Sequence, residues 1–311
     1  MRIVFMGSPA IAAESLAALV SSRHQVALVV SQADKPAGRG RRLTSPPVAD
    51  LARDHGIPVA QPRSARTPEL GDAIAAAAAD IGVVVAYGKI LPPAVLEAFP
   101  RGVVNVHTSL LPRYRGAAPA QWAIIRGERT TGVTIMQLDE GMDTGPMIAR
   151  EEVAITDDDT AETLLARLAP VGARLLVSTL DDLEHGRATF EAQDDAAATY
   201  APMLKKDDGR IDWTRPATEI ANLVRGVDPW PGAHTTFEGM PLKLFAPRAV
   251  AGRGEPGEIL AVRADGLVIA CGEGACVVGQ LQVAGKRRMS AADFARGKKL
   301  APGMRLGSPA T

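Results

Sequence analysis

Four short runs of apolar, largely β-branched residues, RIVFM, QVALVVS, IGVVVA and GVVNVH, recur through the first third of the chain without the polar alternation of a half-exposed strand. A strand apolar on both faces must be covered on both, which calls for helices above and below it. The intervening segments supply them, since PAIAAESLAALVSS and TPELGDAIAAAAAD carry apolar residues at helical spacing. The alternation predicts an α/β domain with a parallel, Rossmann-like sheet and ligands beyond the carboxyl ends of its strands. Its first strand-to-helix turn, FMGSPAIAA, lacks the G-x-G-x-x-G that lets a pyrophosphate approach the backbone, and a P-loop lysine is missing too. No NAD or other dinucleotide is expected.

At 311 residues the chain exceeds what one hydrophobic core usually serves, so two domains are expected. After a helical stretch, TAETLLARLAPVGARLLVSTLDDLEHG, the segment EAQDDAAATYAPMLKKDDGR is polar and irregular and reads as a linker. Beyond a helical IDWTRPATEIANLVRGV, evenly spaced short strands with Gly and Pro between them (AHTTFEG, PLKLFAPRAV, GEILAVRADGLVIACGEGACVVGQLQVAG) predict a smaller, OB-like β-barrel domain. The expected bounds are a catalytic domain over 1–190, a linker over 191–207 and the barrel over 208–311. With 46% hydrophobic and 23% charged residues the composition excludes a disordered or fibrous chain. No membrane segment is expected: the apolar start is interrupted by Gly7 and Pro9, and the Ala-rich run before Ile81 by Asp80. Cys271 and Cys276 lack the further ligands of a zinc site, so they read as reduced thiols of a cytoplasmic protein with no metal.

The net charge of zero hides an asymmetry: 19 basic against 24 acidic residues up to Met203, and 16 against 11 after it. Two segments concentrate the positive charge. KPAGRGRRLTSPP holds Lys35, Arg39, Arg41 and Arg42 with no acid between Asp34 and Asp50, and its glycines and prolines rule out a regular helix. AGKRRMSAADFARGKKL holds Lys286, Arg287, Arg288, Arg296, Lys298 and Lys299 against Asp293. Each is either a solvated surface or a contact for a nucleic-acid backbone.

The stretch NVHTSLLPRYRGAAPAQWAI points to chemistry. Asn105 and His107 lie two apart on a strand and so share a face, and the strand then breaks into a proline turn. Asp143, in the Gly-flanked loop LDEGMDTGP after the strand TGVTIMQL, is placed to reach the same carboxyl-end cleft. An amide, an imidazole and a carboxylate, with no Ser or Cys nucleophile among them, suit direct acyl transfer to an amine. Asn105 and a protonated His107 would hydrogen-bond the developing oxyanion, and Asp143 would help move protons. Arg113 and Arg115 are either ligand contacts or solvated turn residues. Trp213 and Trp230 are packing residues or stacking platforms. His24, His55, His185 and His234 have no constellation around them.

On VFMGSP, KPAGRGRRL, VVVAYGKILP, NVHTSLLPRYRGAAPAQWAI, GMDTGP and GRIDWTRPATEI…VDPWPGA, the chain resembles the methionyl-tRNA formyltransferase family along its whole length. The resemblance implies transfer of the formyl group of 10-formyltetrahydrofolate to the α-amine of methionyl initiator tRNA, by a monomer. It carries the family's catalytic Asn, His and Asp onto Asn105, His107 and Asp143. It implies folate binding by Ser109, Leu110, Leu111 and Pro112, and a pterin pocket lined by Gly88, Lys89, Ile90, Leu91 and the loop from Asp139 to Asp143. It further implies that the Arg39 loop reads the tRNA acceptor end while the basic second domain grips the tRNA. The same trio serves glycinamide ribonucleotide transformylase, sugar-nucleotide formyltransferases and formyltetrahydrofolate dehydrogenase, so only the two basic segments favour a tRNA acceptor.

Overall fold

The computed structural model describes residues 1–37 and 42–307, in two compact units. The first gathers Met1–Pro119, Thr130–Ala154 and Leu165–Pro202; the second gathers Ala120–Arg129, Ile155–Leu164 and the chain from Met203 onward.

In the first unit the expected alternation runs β1 (Arg2–Gly7), α1 (Ala10–Val20), β2 (Gln25–Val30), a hairpin of β3 (Lys35–Ala37) and β4 (Arg42–Thr44), α2 (Pro47–Asp54), β5 (Val59–Ala60), α3 (Pro68–Ala77), β6 (Ile81–Val85), α4 (Pro93–Leu96) and β7 (Val103–His107). After α5 (Pro119–Ile125), which from Ala120 onward is grouped with the second unit, come β8 (Thr130–Gln137), β9 (Met147–Ala154) and α6 (Ala161–Glu184), which joins the first unit from Leu165. The seven-stranded sheet has the order β5-β2-β1-β6-β7-β8-β9. The pairs from β5 through β7 are parallel, and β8 and β9 add an antiparallel edge. The chain winds outward from β1 to β5, then crosses to β6 on the other side of β1, which makes the β1/β6 boundary the topological switch.

Side-chain alternation decides what each face holds. Val4, Met6, Leu28, Val30, Val84 and Val103 share one core cluster with Leu70 and Ile74 of α3 and Val95 of α4. Asn105 and His107 follow Val103 at two-residue steps and therefore take this face. Val106 points the other way, towards α6, where a Cβ on Gly172 would lie 2.9 Å from it. Helix α6 is long and apolar enough to cross a bilayer by length and composition, contrary to the expectation that no such segment exists. Leu168, Leu176 and Leu180 are fully buried within the protein, as in a core helix.

The stretch read as a linker is divided. Residues 191–202 pack within the first unit, where Glu191 bridges Met147 and Tyr200 bridges Arg115. Polarity misleads here because the backbone finds ladder partners while its side chains stay largely in solvent.

The second unit holds α7 (Ala217–Gly226) and the antiparallel strands β10 (His234–Phe237), β11 (Met240–Val250), β12 (Ile259–Arg263), β13 (Gly266–Ala270) and β14 (Ala275–Val283), ordered β10-β11-β14-β13-β12. Short β15 (Met289–Ser290) pairs β14 and leads into α8 (Ala291–Lys298), whose Ser290 accepts a capping hydrogen bond from the Asp293 N–H. Trp213 is core, 6% exposed, with its Nε1–H donated to Thr235. Trp230 is 58% exposed and packs no core.

Candidate active site

His107 is 5% exposed, and its Nε2 lies 3.0 Å from the Tyr114 carbonyl. A carbonyl only accepts, so Nε2 carries the proton and Nδ1 is the ring nitrogen turned to the site. Nδ1 is 3.8 Å from Asp143 Oδ2, which accepts the Gly116 N–H at 2.8 Å. Asn105 is buried beside them at 9% exposure, and among the described residues nothing hydrogen-bonds its side-chain amide. Among the described residues, the fully buried side-chain atoms without a partner are His24 Nε2, Tyr87 Oη and Glu184 Oε2, so the Asn105 amide is not sealed in and a ligand atom can reach it beside the imidazole and the carboxylate.

Asp143 arrives by a route that the strand pattern misstates. β8 runs antiparallel to β7, with Gln137 opposite Val104 and Thr134 opposite His107. Its carboxyl end therefore lies beside the start of β7, and the β8–β9 loop returns across the face to bring Asp143 to His107. Asp143 (φ 55°) and Tyr114 (φ 63°) both adopt the left-handed conformation that costs a side-chain-bearing residue energy and clusters at functional sites. Gly116, at φ 120°, is needed as glycine, because a Cβ would come within 2.6 Å of the Ala201 carbonyl.

The S-L-L-P turn is fixed from within. Fully buried Ser109 donates to the Arg113 carbonyl at 2.7 Å, while Thr134 donates to the Ser109 carbonyl at 2.7 Å and accepts the Leu111 N–H at 3.2 Å. Leu111 packs with Met136 and Met147, leaving Leu110 and Pro112 half-buried. In the β6 loop, Gly88 (φ 75°) and Ile90 are exposed, Ile90 at 83%, while Leu91 is buried. Lys89 donates to the carbonyls of Pro62 at 2.7 Å and Arg63 at 3.1 Å, and burial, followed by repulsion from Lys35, lowers its pKa. Asp139 spends one oxygen on the Gly141 N–H and the Thr144 hydroxyl of its own loop, whereas Met142 in that loop is 61% exposed.

The basic residues divide. Lys35 is exposed and donates to Gln32 at 2.6 Å. Arg39 and Arg41 lie outside the described residues, and of Arg42 only the backbone pairing with Ala37 is described. Lys286, Arg287, Lys298 and Lys299 are exposed on the second unit. Arg288 is instead committed: its guanidinium pairs with buried Asp228 and stacks on Phe245 at 3.5 Å. Arg263, absent from the sequence-based set, joins Arg296 and Lys299 around an open depression of 410 Å³ between β12 and α8.

Arg115 is not a solvated turn residue. Its side chain is 3% exposed and is bound by Gln193 at 3.0 Å and Asp195 at 2.8 Å. Gln193 was invisible in the sequence because it sits in a polar stretch without pattern.

An amide, an imidazole and a carboxylate gathered on one face of a Rossmann-like sheet suit direct group transfer. Residues 1–180 match the family model "Formyl transferase" and residues 203–299 match "Formyl transferase, C-terminal domain". A methionyl-tRNA formyltransferase of Geobacter metallireducens is 48% identical over 307 residues, covering 99% of each chain. Among solved structures, HypX from Aquifex aeolicus in complex with tetrahydrofolic acid matches 95% of this chain and 47% of its own, with TM-score 0.67 and 19% identity. An N-formyltransferase from Helicobacter canadensis, in complex with folinic acid and dTDP-3-aminofucose, matches 89% of this chain and 97% of its own, with TM-score 0.68 and 18% identity. The chain belongs to the formyltransferase family and is an enzyme of that class.

Proposed function

We propose that this enzyme transfers the formyl group of 10-formyltetrahydrofolate to the α-amine of methionyl initiator tRNA, acting as a cytoplasmic monomer. The full-length relative named for that reaction supports the acceptor. The carrying observation is the buried Asn105 amide, unpartnered among the described residues, beside the His107–Asp143 pair.

The folate supplies an activated formyl group. Exposed, apolar Ile90 and Met142 on two loops fit a planar, partly apolar ring, and backbone groups near Leu110 and Pro112 would complete its wall. The structural part of Lys89 and Asp139 in that pocket is to hold their loops.

In the transfer, Asn105 donates an amide N–H to the formyl oxygen as negative charge develops there. Protonated His107 donates from Nδ1 to the same oxygen while Nε2 stays anchored on Tyr114. Asp143 takes the proton shed by the attacking amine, with the Gly116 N–H holding its carboxylate in place, and the formyl C–N10 bond then breaks as N10 takes up a proton and tetrahydrofolate leaves. The residues over 208–311 act as the tRNA-binding domain through Lys286, Arg287, Lys298 and Lys299, and the Arg39 loop meets the acceptor end.

The test is formylation of methionyl initiator tRNA, methionyl elongator tRNA and a sugar-nucleotide amine side by side with 10-formyltetrahydrofolate. Turnover confined to the initiator tRNA is expected. Turnover confined to the sugar nucleotide would return both basic segments to plain solvated surface.

A further inference from the structure

We propose that Gln193 is a positioning residue for formyl transfer, setting the Asp143 carboxylate against His107, and that Arg115 locks the orientation of the Gln193 amide. The inference rests on the catalytic reading of Asp143 given above.

Gln193 donates from Nε2 to two backbone carbonyls of the catalytic loop, Asp143 at 2.9 Å and Gly145 at 2.7 Å. Its Oε1 accepts Arg115 Nε–H at 3.0 Å. The surroundings fix which end of the amide is which, because carbonyls cannot donate and a guanidinium cannot accept. Arg115 is held in turn by the Asp195 carboxylate and by its own backbone, which donates to the Thr199 carbonyl at 2.8 Å and accepts the Ala201 N–H at 2.7 Å. Tyr114 N–H donates to Thr199 Oγ1 at 2.8 Å.

The tripeptide Tyr114–Arg115–Gly116 is thus a hub. Tyr114 holds His107 through its carbonyl, Gly116 holds the Asp143 carboxylate through its N–H, and Arg115 holds the Asp143 backbone through Gln193. Asp143 needs this restraint because its left-handed backbone is not the conformation a free loop favours. Without Gln193, the loop relaxes and the carboxylate leaves the 3.8 Å approach to Nδ1. Misplacement of a catalytic group by about 1 Å costs about 10²-fold in rate.

Gln193→Glu keeps the length and the acceptor for Arg115 but removes both donors to the loop. In the full-length enzyme we expect kcat to fall about 10- to 100-fold, with KM for folate and for methionyl-tRNA within about twofold. In single turnover on an Asp143→Ala background, adding Gln193→Glu should change the rate by less than about twofold, because nothing remains to position. If Gln193→Glu unfolds on a thermal scan, isosteric Gln193→Met takes its place, with the same expectation. A normal kcat in a folded Gln193 variant, or losses that multiply in the double variant as for a merely structural role, overturns the inference alone. Near-normal turnover in Asp143→Ala would instead remove the catalytic reading, and this inference with it.

Discussion

Two buried histidines in the first unit sit beside carboxylates, and only one of them is equipped for chemistry. His24, 5% exposed, lies 3.3 Å from Asp181, and Arg23 clamps Asp181 and Glu184 at 2.6 Å each. His24 Nε2 and Glu184 Oε2 form no hydrogen bond, yet both are shut away from solvent. At His107, the ring is anchored on one nitrogen, the carboxylate is held by a backbone N–H, and the neighbouring Asn105 amide has no hydrogen-bonding partner among the described residues. A functional centre is therefore marked by unspent donors that a ligand can reach in a rigid frame, not by clustering of titratable groups. The His24, Asp181 and Glu184 donor atoms approach one another within 4.8 Å, a spacing open to a metal, but the Arg23 guanidinium already occupies the cation's position.

The largest expected effect separates the two histidines by activity. Asn105→Ala and His107→Ala should each lower kcat about 10²- to 10³-fold in protein that still folds, the usual cost of a lost oxyanion donor. His24→Gln should leave kcat within about twofold and lower the melting temperature. Steady-state formylation and thermal unfolding on the same preparations check both, and a catalytic loss in His24→Gln would collapse the distinction.

Stability against pH sharpens it further. Burial, the leading cause, lowers the His24 pKa below its ordinary 6.5, although Asp181 pulls the other way. A group depressed on folding contributes stability above its unfolded value, and that contribution is lost as pH falls, because the unfolded chain takes up the proton first. Urea midpoints should therefore drop between pH 7.5 and 5.5, and His24→Gln should flatten that slope. An equal slope in both proteins would assign the acid sensitivity elsewhere.

Arg288 and Lys298 repeat the contrast between spent and open groups on the second unit. Arg288→Ala should destabilise by about 1 kcal/mol, discounted because the guanidinium is partly exposed. Lys298→Ala should leave stability alone and reduce the slope of log affinity for tRNA against log salt by about one. Filter binding across a salt series, beside urea titrations, tests the pair.

The same logic explains what the sequence made legible. Apolar runs covered on both faces prescribe helices, so the parallel half of the sheet was readable from RIVFM, QVALVVS, IGVVVA and GVVNVH. Strand direction at the edge was not, because TGVTIMQL is apolar whether it runs parallel or antiparallel, and the return of the Asp143 loop depends on that direction. Asn105 and His107 were legible through two-residue parity. Arg115 was seen as charge but not as buried charge, and Gln193 carried no pattern, because a residue that positions another through backbone carbonyls leaves no periodicity. His24 escaped notice because Asp181 and Glu184 lie far along the chain.

The smallest expected effect concerns groups that are buried but inert. Burial pushes the Cys271 thiol up to about 11 and that of Cys276 up to about 12, from an ordinary value of 9.0. Only a thiolate attacks a disulfide reagent, so at pH 8 the ionised fraction is far below that of a free cysteine, and access through the sheet is blocked as well. In native protein an aromatic disulfide reagent should release almost no thiolate over an hour, and two equivalents per chain should appear once urea unfolds it. Because both groups are raised on folding, their contribution to stability is whole below about pH 9 and declines as pH climbs towards 11 and 12. Rapid reaction of either thiol in the folded protein would show that the second sheet opens locally, and would move the Cys271–Cys276 hairpin from the closed class of His24 to the reachable one of the Asn105 amide.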